Sequence, residues 1–96
     1  MSDLYVAATA KAQEGAAAQL RAVLEALVAP TRQESGNLAY NLYTGADGKS
    51  FLFFEHWASQ EALDLHGKTA HFQKMLRDSQ PLTDGAMDVK TLHTAA

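Results

Sequence analysis

The stretch Ser50-Phe51-Leu52-Phe53-Phe54-Glu55-His56-Trp57-Ala58 constrains the fold more than any other part of the chain. Successive side chains of a strand point to opposite faces, so Phe51, Phe53 and Trp57 share one face while Leu52, Phe54 and Ala58 share the other. Both faces are apolar, and a strand of that kind needs cover on both sides. Helices of the same chain can cover one. A second sheet, most simply that of an identical subunit, is expected to cover the other, which makes the protein a homodimer.

The segments around this strand supply the helices. Leu4 to Lys11, with Tyr5, Val6 and Thr9 and no helix signal, reads as a first strand. Leu20, Val23, Leu24, Leu27 and Val28 then fall at i, i+3, i+4, i+7 and i+8, one face of a helix that wants a sheet to cover. Pro30 should kink or interrupt that helix. Thr31 to Ser35 adds a further turn in this reading, and Gly36 supplies a left-handed stop. Asn37 to Thr44 reads as a second strand, joined through the turn Gly45-Ala46-Asp47-Gly48 to the third strand, Ser50 to Ala58, in an antiparallel hairpin. Ser59 caps a short helix carrying Ala62, Leu63 and Leu65, Gly67 breaks it, and Thr69 caps another carrying Phe72, Met75 and Leu76. Pro81 and Gly85 bound a loop, and Met87 to Leu92 alternates as a final strand.

The order β-α-β-β-α-β is the ferredoxin-like plan, an α+β fold in which right-handed crossovers place the helical segments on one face of a four-stranded antiparallel sheet. With a second copy on the bare face it becomes a dimeric α+β barrel. Ninety-six residues, 47% of them hydrophobic and 20% charged, suit one globular domain over residues 1–96. The net charge is −3 and the eight Lys and Arg residues form no cluster, so nucleic acid is not an expected partner. The absence of cysteine excludes disulfides, thiolate metal sites and a cysteine nucleophile. No run approaches the roughly 20 apolar residues that span a bilayer. Met1-Ser2-Asp3-Leu4 shows no leader pattern, and a cytoplasmic location is expected.

Three blocks, Glu34-Ser35-Gly36-Asn37-Leu38-Ala39-Tyr40, Phe54-Glu55-His56-Trp57-Ala58-Ser59 and His66-Gly67-Lys68-Thr69-Ala70-His71-Phe72, resemble the antibiotic biosynthesis monooxygenase family, above all its bacterial quinol-monooxygenase-like members. The resemblance runs from the first strand to Asp88-Val89-Lys90. It implies the dimeric barrel and one of several chemistries: cofactor-independent oxygenation of phenols and quinols, haem degradation, or isomerisation of a phosphorylated signalling sugar. The haem-degrading branch uses an Asn on the first strand and a Trp and a His on the second helical region. This chain has no Asn on its first strand, and His66 and Leu76 stand at the other two positions. The isomerase branch shares the Glu34 to Leu38 segment and the paired histidines, so it stays as an alternative, as does a binding module without catalysis.

No glycine-rich phosphate loop joins a strand to a helix, so no flavin or nicotinamide is expected. A phenolate or quinolate can itself reduce dioxygen, leaving the protein to bind a small aromatic substrate and dioxygen in a dry pocket between sheet and helices and to remove a proton. His66 is the candidate base, His71 and Glu55 its candidate assistants, because histidine ionises near neutral pH and Glu55 shares its strand face with Phe53 and Trp57. Tyr40, Asn41, Phe53, Trp57 and Phe72 are the candidate substrate contacts. Tyr40 and Asn41 lie on opposite faces of one strand, and the sequence leaves open which faces the helices. Two histidines across a helix break offer no clear third donor, so no metal is expected. His56 is expected at the subunit interface and His93 in solvent.

Overall fold

A computed structural model describes residues 3–96; Met1 and Ser2, on which the leader reading partly rests, lie outside the described residues. The fold is α+β and ferredoxin-like. Strand β1 (Leu4–Lys11) is followed by helix α1 (Ala17–Arg32), the hairpin β2 (Asn37–Thr44) and β3 (Ser50–Trp57), helices α2 (Gln60–Gly67) and α3 (Ala70–Ser79), and β4 (Asp88–Leu92). A single 3₁₀ turn, Gln80–Leu82, closes α3. The four strands form one antiparallel sheet in the order β2-β3-β1-β4.

The helices lie on one face. Leu20, Leu24 and Leu27 of α1 and Met75 of α3 are buried against Leu4, Val6 and Ala8 of β1 and Phe51, Phe53 and Trp57 of β3. Fully burying one such side chain is worth about 1.5–3 kcal/mol, so this stripe is the main source of the fold's stability. The alternation along β3 is as the sequence implies: Phe51, Phe53, Glu55 and Trp57 are buried. On the other face Phe54 is 39% exposed and Tyr43 53% exposed, with Tyr5 stacked between Phe54 and His56 at ring-centroid distances of 5.9 and 4.3 Å. His56 also pairs with Asp3 on that face.

Two punctuation residues act differently from expectation. Pro30 neither breaks nor ends α1, which runs on to Arg32. The lost amide hydrogen bond falls in the last turn, where buried Leu27 and Thr31 flank it and Arg32 donates to Tyr40 O and Asn41 Oδ1, both at 3.0 Å, tying the helix end to β2. Gly36 is not in a left-handed conformation. A Cβ there would collide with that of Ala62, so the glycine permits close approach of α2 to the start of β2. Gly67 ends α2 as expected. The caps are as expected: Ser59 Oγ accepts from Ala62 N–H at 3.1 Å and Thr69 Oγ1 from Phe72 N–H at 3.2 Å.

Candidate active site

The turn between α1 and β2, the C-terminus of α2 and the first turn of α3 meet at one carboxylate. Glu34 Oε2 lies 2.7 Å from His66 Nδ1 and 2.7 Å from His71 Nε2. A carboxylate oxygen accepts and does not donate, so the ring nitrogens facing it carry the protons and the tautomer of each neutral histidine is fixed. His66 is 2% exposed. Its Nδ1 is held by Glu34, and its Nε2 is buried without a hydrogen-bond partner. Burial holds the His66 pKa below the usual 6.5, with the Glu34 hydrogen bond opposing it. The unpartnered Nε2 is thus a lone pair in an apolar surround, suited to receiving a proton.

That surround is aromatic. Ring centroids of Trp57, Phe72 and Tyr40 lie 4.7, 4.8 and 5.5 Å from that of His66. His71 stands 6.2 Å away on the Glu34 side and is partly exposed. Phe53 packs on Tyr40 at 4.9 Å, backing the cluster. Burial pushes the Tyr40 phenol well above its ordinary range, and the charges of Glu55 and Glu34 push the same way, so Tyr40 stays protonated. Glu55 is 4% exposed and accepts a hydrogen bond from Trp57 Nε1 at 2.9 Å. Burial raises its carboxyl from the ordinary 4.5 to about 7, against the lowering effect of the Trp57 bond. A carboxyl of that kind holds or releases a proton near neutral pH.

The sequence candidates therefore separate into two groups. His66, His71, Tyr40, Trp57 and Phe72 come together, with Phe53 and Glu55 on the same sheet face. Asn41 does not join them: it is paired in register with outward-facing Phe54, and its side chain accepts from Arg32 at the sheet edge. Glu34 was missed as a site residue, because a lone acid in a turn between a helix and a strand reads as a solvated turn residue. The stated reason for expecting no metal, the lack of a third donor, fails for the same cause, since Glu34 supplies one. Tyr40, Trp57 and Phe72 pack beside His66, and two grooves reach the rim of the cluster. One, about 300 Å³, runs between α1 and α3 past His71; another, about 410 Å³, passes Glu34, Ser59 and Leu65. A separate groove of about 460 Å³, lined by Lys11, Tyr43 and Asp84 among others, lies at the far end of the strands, away from these histidines.

The sequence model of the family described as "Antibiotic biosynthesis monooxygenase" (ABM) matches residues 3–78. The chain belongs to that family. A candidate monooxygenase of Mycobacterium tuberculosis is 45% identical over 53 residues, 55% of this chain and 52% of that protein, so the match spans about half of that relative. A candidate monooxygenase of Bacillus subtilis is 32% identical over 66 residues, 68% of this chain and 70% of that one. Among solved structures, the Mycobacterium tuberculosis protein superimposes with a TM-score of 0.93 at 33% identity, covering 99% of this chain and 97% of that one. A Pseudomonas aeruginosa protein gives 0.94 at 34% identity, covering 100% and 97%. The ABM-family fold thus extends over β4, beyond the residues that the family model matches. Among the described residues no helix is long and apolar enough to cross a membrane.

Proposed function

We propose that this ABM-family chain is a cofactor-independent monooxygenase of a small phenolic or quinol substrate, with His66 as the base. The observation that carries the reading is the His66 imidazole: buried, fixed by Glu34 through Nδ1, and presenting an unpartnered Nε2 among Tyr40, Trp57 and Phe72. In this reading the partly buried Phe72 swings aside to admit an aromatic ring beside Nε2, which takes the phenolic proton. Removal of that proton makes the ring electron-rich enough to reduce dioxygen. A phenol with a free ring position then becomes a quinone: one oxygen atom enters the product, the other leaves as water, and the substrate supplies all four electrons. Glu55, which exchanges a proton near neutral pH, serves the later proton movements, and the Tyr40 hydroxyl stays protonated as a hydrogen-bond donor to the substrate.

A second copy covering the outer sheet face completes the reading. Tyr43 and Phe54 are large, apolar and exposed on that face, and Leu92 lies opposite Tyr5 in the pairing of β1 with β4. The test of function is an oxygen electrode with a panel of quinols and naphthols. Stoichiometric oxygen uptake with formation of a quinone supports the reading, and no uptake with any member of the panel rejects it.

A further inference from the structure

We infer that Glu34, His66 and His71 form a binding site for a first-row divalent cation of the zinc type, and that this cation switches the His66 base off. The donor atoms, Glu34 Oε2, His66 Nδ1 and His71 Nε2, come from three separate segments and lie within 4.8 Å of one another. Zinc bonds to imidazole nitrogen and carboxylate oxygen are about 2.0–2.2 Å, so tetrahedral donors stand roughly 3.3 Å apart. The two nitrogens sit 2.7 Å from the shared oxygen, already closer than that spacing, so bringing all three donors to one ion needs only an outward shift of Glu34 and a rotation of His71. His71 is the partly exposed member and faces the groove between α1 and α3, which supplies both the freedom and the entry path. Two imidazoles and one carboxylate, with no thiolate or thioether, match zinc and its neighbours rather than copper(I), calcium or magnesium. Water from the groove completes the coordination.

The consequence for His66 follows from its single ring proton. With Glu34 as partner, that proton sits on Nδ1 and Nε2 holds the lone pair. When Nδ1 binds the ion, the single ring proton moves to Nε2, and the nitrogen that is buried without a partner becomes an N–H. It can no longer accept a proton. The inhibitory half of the inference rests on the oxygenase reading above; the binding half rests on the geometry alone.

Both halves can be measured on the full chain after treatment with chelator. Titration calorimetry with zinc chloride is expected to show one ion per chain at micromolar affinity or tighter. Glu34→Gln and His71→Ala, each checked for native circular dichroism, should weaken binding at least tenfold. His56→Ala and His93→Ala should bind as the wild type does. Cobalt(II) should give visible d–d bands in the wild type that the first two variants lose. No saturable binding up to millimolar zinc, or unchanged binding in His71→Ala, overturns the site; His71 is partly exposed, so its variant decides even if Glu34→Gln does not fold. Zinc should also abolish quinol-dependent oxygen uptake, and chelator should restore it. Uptake that appears only after metal is added overturns the inhibitory role. Absence of uptake under every condition rejects the oxygenase reading and with it the inhibition, while the titration still decides the site.

Discussion

Glu55→Gln gives the sharpest test of the buried sheet-side carboxyl. Burial lifts the Glu55 pKa from 4.5 to about 7, so the folded state holds a proton that the unfolded chain releases between those values. The folded state then binds more protons than the unfolded one, and stability falls as pH rises from about 4.5 to about 7. At 1.36 kcal/mol for each tenfold change, the penalty reaches about 3 kcal/mol above pH 7 and vanishes below pH 4.5. Glutamine keeps an oxygen to accept from Trp57 Nε1 and cannot ionise. Its extra N–H groups cost a constant amount, about 1–3 kcal/mol if unpaired, at every pH. The stability difference between variant and wild type should therefore move by about 3 kcal/mol in favour of the variant between pH 4 and pH 8. His66, whose pKa is held low, shifts both proteins alike and drops out of the difference. Urea unfolding at fixed protein concentration measures it; in thermal melts the same change is roughly 12–24 °C for a chain of this size. A difference that stays flat across this range would show that Glu55 is ionised at little cost in the folded protein, and the argument from burial would fail.

Four further outcomes are expected. His66→Ala should lower quinol turnover by roughly 10²- to 10⁴-fold with the fold retained, and wild-type kcat/KM should rise with pH through a midpoint below 6.5, since burial disfavours the protonated ring. A midpoint at or above 6.5, or full turnover in the variant, removes His66 as base. Phe54→Lys should leave the circular dichroism native and convert a dimer of about twice 10.4 kDa to monomer in light scattering, because Phe54 faces away from the helices; unfolding instead would place Phe54 in the core. Gly36→Val should cost about 1–3 kcal/mol or more in urea unfolding through its clash with Ala62, whereas Gly67→Ala, with nothing near its Cβ, should not destabilise the fold. Thr69→Ala should cost about 1 kcal/mol by removing the α3 cap, read in the same assay.

The elements were legible because alternation and helical periodicity are strong along this chain: the two-sided β3 placed its neighbours, and Ser59 and Thr69 marked the two short helices. Pro30 and Gly36 misled for one reason. Each has a local preference, and each was overruled or reused by packing, Pro30 by the anchoring of Arg32 on β2 and Gly36 by the approach of α2. The site was half legible. His66 and His71 stand out as residue types, and Glu55 stands out as an acid among aromatics. Glu34 does not, since it is 32 residues from His66 and only the fold brings them together. Asn41 was a matter of strand face, which the edge position of β2 and the irregularity near Asn37 and Ala39 left undetermined until the pairing was known.

Because both histidines lean on the same oxygen of Glu34, neither can be altered alone. Removing His71 frees one lone pair of that oxygen, shifts the carboxylate and changes how firmly the His66 tautomer is held, even though His71 is 6.2 Å from the His66 ring. Single substitutions at the two positions should therefore fail to add in a double-mutant cycle, with a coupling of about 0.5–3 kcal/mol. In descendants of this sequence, a change at position 71 alters which replacements position 66 and position 34 can tolerate, so the three positions evolve as one epistatic unit.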